Sequence, residues 1–162
     1  MSTHVPEFTP AALPPGAKFA IVAARFNAYI VDELVAGCVR RFGQMGVDED
    51  RLSLHRVPGA FELPVAAKLL AKTNRYAAIV CLGAVVRGDT PHFDYVAGEA
   101  ASGIQKVAVE QGLPVIFGVL TTNTEQQALD RIGGSHGHAG ERAAEAAAEM
   151  VALAADIARG QA

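Results

Sequence analysis

No block of lysine and arginine occurs anywhere in the 162 residues, and the net charge is -3. Such a chain has no electrostatic grip on a phosphate backbone, which excludes nucleic acid as a principal partner. No apolar run approaches the roughly 20 residues that span a bilayer, and the N-terminus lacks the charged-then-apolar order of a secretory signal. The expectation is a soluble cytoplasmic protein with no membrane partner. Cysteine is scarce: Cys38 and Cys81 each lie inside an apolar periodic stretch. They read as small buried hydrophobes in a reducing compartment, not as a disulfide or a metal pair. Charged residues reach only 19%, against an average of about 25%, while hydrophobic residues make up 51%. That balance points to a nominal surface partly buried against further copies of the chain, although the Ala-rich C-terminus feeds the same figure.

Nucleotide fingerprints are missing too. No Gly-x-Gly-x-x-Gly follows the first apolar run, which argues against a dinucleotide. Gly83 to Gly88 has P-loop glycine spacing, but Asp89-Thr90 stands where Lys-Ser/Thr is required. His136-x-His138 lies in a glycine-rich turn with no cysteine or neighbouring carboxylate to complete a zinc site.

What the sequence does contain is regular alternation, in a length suited to one domain with a proper core. Residues 1–16, with Pro6, Pro10, Pro14 and Pro15, form an irregular arm or at most an edge strand. Residues 17–162 form the domain. Residues 18–24 (KFAIVAA) are nearly continuously apolar, as in a strand buried on both faces. Ile30, Leu34, Val35, Cys38, Val39 and Phe42 recur at helical spacing, and Gly46 ends that helix. A second strand spans 52–57; a helix with Leu63, Ala66, Ala67 and Leu70 on one face follows Pro58-Gly59. The third strand spans 77–82, then a loop with Gly83, Gly88 and Pro91 leads to a helix over 93–111. The fourth strand spans 114–120. Thr124 and Gln127 make a capping-box pattern for a short helix ending near Ile132. Residues 133–140 (GGSHGHAG) read as a flexible turn, and an Ala-rich helix covers 141–159. Strand–helix alternation with buried strands predicts a four-stranded parallel sheet in a three-layer α/β/α sandwich, flavodoxin-like or Rossmann-like.

Ligands of open parallel sheets bind outside the carboxyl ends of the strands. Those positions here are Arg25-Phe26-Asn27, 58–62, 83–92, and Phe117 with Thr121-Thr122-Asn123. An aromatic ring, a carboxylate, a glycine-flanked hydroxyl and a histidine share one rim, which suits a flat polar heterocycle with a sugar-like tail and an anion. Phe26, between Arg and Asn in a loop, is an odd core residue and reads as a stacking surface. Glu62 and Arg131 each suit a helix end through the dipole alone, and Gly88-Asp89-Thr90 before a helix is a common anion cradle that is often empty. His92 is the best acid–base candidate, because imidazole titrates near neutral pH. Composition and spacing lead no further than a small-molecule site on a parallel α/β sheet.

Three segments lead further. Arg25-Phe26-Asn27, Val57-Pro58-Gly59-Ala60-Phe61-Glu62-Leu63-Pro64 and the run from Leu82 through Gly88-Asp89-Thr90-Pro91-His92-Phe93-Asp94-Tyr95-Val96 resemble the signature segments of lumazine synthases, in order and at the family's spacing. The likeness continues through 114–122 and 127–140. It implies condensation of 5-amino-6-(D-ribitylamino)uracil with 3,4-dihydroxy-2-butanone 4-phosphate, with loss of phosphate and ring closure, and no metal or organic cofactor. It further implies that Phe26 stacks on the pyrimidine, that Ala60, Phe61 and Glu62 hold the ribityl chain, and that Ala84, Val85 and Val86 meet the ring through backbone groups. Asp89 and Thr90 would bind the phosphate with Arg131, His92 would move the proton, and Phe117 and Arg131 would come from a neighbouring subunit. The implied assembly is a homo-oligomer, a pentamer or a 60-subunit icosahedral shell, with the N-terminal arm adding a strand to a neighbour.

The resemblance has one departure. The family pattern has a lysine where Ala139 stands and an acidic residue near Arg142; here the turn reads His138-Ala139-Gly140-Glu141-Arg142. A cation is thereby lost from the anionic end of the site, which weakens substrate binding, is partly offset by Arg142, or reflects an engineered change. Two rival expectations use the same residues: a non-catalytic lumazine- or flavin-binding protein, and a shell-forming protein whose assembly matters more than its pocket.

Overall fold

The computed structural model describes residues 5–10 and 12–161. Strand β1 (Phe19–Ala24) is buried at all six positions, because helices cover both faces of the sheet. Parallel pairing gives the order β2-β1-β3-β4, with β2 at Leu52–Val57, β3 at Ala78–Val86 and β4 at Val115–Thr122. Phe19, Ile21 and Ala23 point to one face, with Val80 and Leu82 of β3, and pack against α1 (Ala28–Gln44) and the last helix, α5 (Ala139–Ala158). Ala20 and Val22 point to the other face, with Ile79 and Cys81, and meet α2 (Leu63–Ala71) and α3 (His92–Gln111). This is the expected three-layer α/β/α, flavodoxin-like sandwich. Period-two side-chain alternation across two apolar layers explains why the strands read as continuous apolar runs. The Phe19 and Phe42 rings meet with centroids 4.6 Å apart in the first layer. Cys38 and Cys81 are buried and free of disulfide, and burial pushes both thiols up to about 12. Among the described residues no helix is long and apolar enough to cross a membrane, and no group of three His, Cys, Asp or Glu could hold a metal ion.

Three local expectations need correction. Strand β3 does not stop at Leu82: it continues through Gly83, Ala84, Val85 and Val86, each paired with β4 from Val119 to Thr122. Gly83 therefore sits inside a ladder, and the residues after it are strand, not loop. The short helix α4 (Glu125–Leu129) begins with the expected capping box but ends before Ile132. Ile132–Gly134 (β5) instead pairs antiparallel with Gly137–His138 (β6), so the segment read as a flexible turn is a hairpin. Of the N-terminal arm, residues 1–4 and 11 lie outside the described residues, and 5–10 and 12–16 contain neither helix nor strand.

The hairpin delivers His138 to the start of α5. Its Nδ1 accepts from the backbone N–H of Gly140 at 3.2 Å and of Glu141 at 3.4 Å, capping the helix. The ring lies over Gly37 of α1, where an added Cβ would stand 2.1 Å from its Cε1. Accepting these bonds requires an unprotonated Nδ1. Burial lowers the His138 pKa from 6.5; among the charges that face it, Glu141 and Glu33 raise it and Arg40 and Arg142 lower it. The folded state thus holds this proton less readily than the unfolded chain. The contribution of the cap is complete above 6.5 and is lost as pH falls through the lower folded-state value. Melting temperatures measured from about pH 8 down to 5 should fall at the acidic end, and fall less in His138→Asn, whose amide caps without titrating. Parallel curves for the two proteins would remove His138 as the source.

Candidate functional site

The carboxyl ends of β1, β2 and β3 open into one cavity of about 670 Å³. Beyond β1 the chain stays tied to β2: Arg25 N–H donates to the Val57 carbonyl at 2.8 Å and Phe26 N–H to that of Pro58 at 3.0 Å. Asn27 then takes the left-handed conformation (φ 60°, ψ 43°), which Asn tolerates better than most residues, and starts α1. Its Nδ2 donates to the Ala84 carbonyl at 2.8 Å, joining the β1 loop to β3. These bonds hold the Phe26 ring at the rim, 72% exposed, where no core contact accounts for it.

After β2, Gly59 is extended and a single 3-10 turn (Ala60–Glu62) leads into α2, with proline in the first turn. Ala60 is buried under the floor, whereas Phe61 projects with 57% of its surface exposed. The Glu62 carboxylate leans back over Gly59: a Cβ there would lie 3.5 Å from Oε1. No hydrogen bond or ion pair engages that carboxylate among the described residues. It is therefore available to accept from ligand hydroxyls.

The end of β3 supplies Ala84, Val85 and Val86, and the exposed turn after it supplies Gly88 and Thr90. The Thr90 hydroxyl accepts from the N–H of His92 at 3.4 Å. Pro91 at the N-cap offers no side-chain acceptor, and with the Asp94 N–H donating to the Pro91 carbonyl at 3.0 Å, the Phe93 N–H is the donor of this first turn left for an anion among the described bonds. His92, Phe93, Tyr95 and Val96 complete the wall.

Phe26, Ala60, Phe61, Glu62, Ala84, Val85, Val86, Thr90 and His92 thus share one cavity. Asp89 rides on the same turn, exposed, without lining it. Phe117 and Arg131 are elsewhere: they line a second concavity, of about 310 Å³, beside the edge strand β4. Ala139 and Arg142 line it too, so the positions that depart from the lumazine synthase pattern face the same space as Arg131. Phe93, Tyr95 and Val96 line the cavity without any expectation from their motif. The spacing His92, Tyr95, Val96 is i, i+3, i+4, one face of a helix that starts at His92, and that periodicity was the available signal.

Over residues 16–155 the chain matches a family model described as 6,7-dimethyl-8-ribityllumazine synthase. It is 49% identical over 136 residues to a curated protein of Nitratidesulfovibrio vulgaris named 6,7-dimethyl-8-ribityllumazine synthase, an alignment that covers 84% of this chain and 87% of that relative.

Proposed function

Because the chain belongs to the 6,7-dimethyl-8-ribityllumazine synthase family, we propose that its cavity joins 5-amino-6-(D-ribitylamino)uracil to 3,4-dihydroxy-2-butanone 4-phosphate to make 6,7-dimethyl-8-ribityllumazine in riboflavin biosynthesis. The observation that carries this assignment to the site is the convergence of an exposed aromatic ring, an unengaged carboxylate and a histidine in one cavity: Phe26, Glu62 and His92. Phe26 stacks on the pyrimidine, and Glu62 with the backbone of Ala60 and Phe61 takes the ribityl hydroxyls. The polar edges of the ring face the main chain of Ala84, Val85 and Val86. The backbone N–H groups of Asp89 and Thr90, with the Thr90 hydroxyl, receive the phosphate.

The 5-amino group of the uracil condenses with the butanone ketone; inorganic phosphate leaves, and the ring closes. Holding two reactive molecules in register supplies much of the rate, since proximity alone is worth up to ~7–11 kcal/mol. His92 moves protons at the reacting nitrogen and carbon. As the family resemblance implies, Phe117 and Arg131 serve the same chemistry from an adjacent subunit, a reading compatible with their lining a different concavity within one chain. The enzyme is accordingly a homo-oligomer, a pentamer or a 60-subunit shell.

Absorbance-monitored turnover with both substrates tests the assignment. Lumazine formation above the uncatalysed background is the expected result. Tight binding of the uracil without turnover would instead favour a lumazine-retaining protein, the reading suggested by Ala139. His92→Ala should lower kcat by about 100-fold or more, the low end of general acid–base effects, while changing substrate affinity little. Unchanged kcat in that variant would remove His92 from the mechanism.

A further inference from the structure

We propose that Arg87 is a positioning residue that sets the place of His92, an inference that rests on the proton-handling role given to His92 above. Arg87 directly follows β3, and its N–H still donates to the Thr122 carbonyl of β4 at 2.9 Å, so its main chain is part of the sheet. Its side chain makes three contacts from that base. Nε donates to Asn123 Oδ1 at 2.9 Å, Nη1 donates to Asp94 Oδ1 at 3.4 Å, and the guanidinium lies 4.3 Å from the centroid of the Phe93 ring. The Asn123 main chain is itself anchored, because its backbone N–H donates at 2.8 Å to Gln127 Oε1, the oxygen that also accepts from Thr124 in the capping box of α4.

A continuous set of contacts therefore runs from α4 through Asn123 and Arg87 to the two residues that follow His92. The covalent route from the sheet to His92 carries fewer ties. It passes through the four exposed residues Gly88, Asp89, Thr90 and Pro91, tied to α3 by two backbone donors alone: His92 N–H to the Thr90 hydroxyl at 3.4 Å and Asp94 N–H to the Pro91 carbonyl at 3.0 Å. An exposed arginine–aspartate pair adds only about 0–1 kcal/mol to stability, and the Arg87 and Asp94 side chains are 43% and 62% exposed. Its value lies in geometry: the planar fork fixes the direction of the first turn of α3 while the ring is clamped from above. A misplacement of about 1 Å at a reacting group can cost up to ~100-fold in rate.

The test is a double-mutant cycle on kcat. Arg87→Met keeps the stem and removes the fork; it should lower kcat about tenfold, leave the Michaelis constant of the uracil within about twofold, and shift the melting temperature by less than about 3 °C. In a His92→Ala background the same change should cost less than about twofold, because the residue acts through a group already gone. A full loss in both backgrounds, no loss in the first, or a His92→Ala protein as fast as the wild type each overturns the proposal. Should the wild type form no lumazine, the assignment of function fails separately. The positioning role is then decided by the His92 imidazole NMR signals, which should broaden or split in Arg87→Met while those of His55 and His138 stay put. Unchanged His92 signals would refute it.

Discussion

Replacing Arg131 by alanine should raise the Michaelis constant for the phosphorylated butanone by roughly 10- to 100-fold and leave that for the uracil within about twofold. The main chain at Arg131 is held on both sides: its N–H donates to the Ala128 carbonyl at 3.0 Å, and its own carbonyl accepts from the N–H of Ala139 at 2.7 Å. No carboxylate engages its guanidinium among the described residues, and none lines the concavity it faces. A cation so placed is free to meet a phosphate. A hydrogen bond to a charged group is worth about 1.5–3 kcal/mol, and about 1.4 kcal/mol is a factor of ten in affinity, which sets the expected range. Steady-state kinetics with each substrate varied in turn, together with inhibition by inorganic phosphate, measures it. The phosphate inhibition constant should weaken by the same factor. An equal rise in both Michaelis constants would mean that Arg131 supports the fold of the site and does not bind the anion.

The second large effect is on stability. Gly140 lies in the first turn of α5, where this helix crosses α1; an added Cβ would stand 2.2 Å from the Leu34 carbonyl oxygen and 3.0 Å from its Cα. Those are backbone atoms of a buried helix and cannot swing aside as a side chain could. Either α5 moves off α1, or the first turn of α5 unwinds and releases the His138 cap. Overpacking of this kind costs about 3 kcal/mol or more, and about 2–4 °C of melting temperature accompanies each kcal/mol in a chain of this size. Gly140→Ala should therefore melt roughly 6–12 °C lower at equal protein concentration. Gly43, near the end of α1, is the control, because nothing lies within 4 Å of a Cβ added there. Gly43→Ala should be neutral or more stable by up to ~1 kcal/mol through helix propensity. Similar losses in both variants would show that the α1–α5 crossing is not the cause.

The elements most legible in the sequence were those whose signals are local. The apolar run of β1, the helical stripe of α1, the positive-φ glycines Gly46 and Gly112 after α1 and α3, and the Thr124–Gln127 box all lie where their patterns placed them. The errors arose where a local signal met a distant partner. Gly83 reads as a break, yet the pairing of β3 with β4 carries the strand on to Val86. The glycines of 133–140 read as a free turn, yet β5 and β6 pair across it and His138 seats itself against Gly37.

The site divides along the same line. By itself the sequence determined the strand–helix alternation, and with it the rim of strand ends on which Phe26, Glu62 and His92 stand, because side-chain period and turn chemistry act within a few residues. The resemblance of its motifs to a known family named the reaction. Only the tertiary structure decided which rim residues meet. The parallel order β2-β1-β3-β4 puts the loops after β1, β2 and β3 around one cavity and leaves Phe117 and Arg131 at the outer edge of β4, in another. The physical reason is that strand order is set by burial and hydrogen bonding between segments far apart in the chain, and no short stretch of residues carries that information.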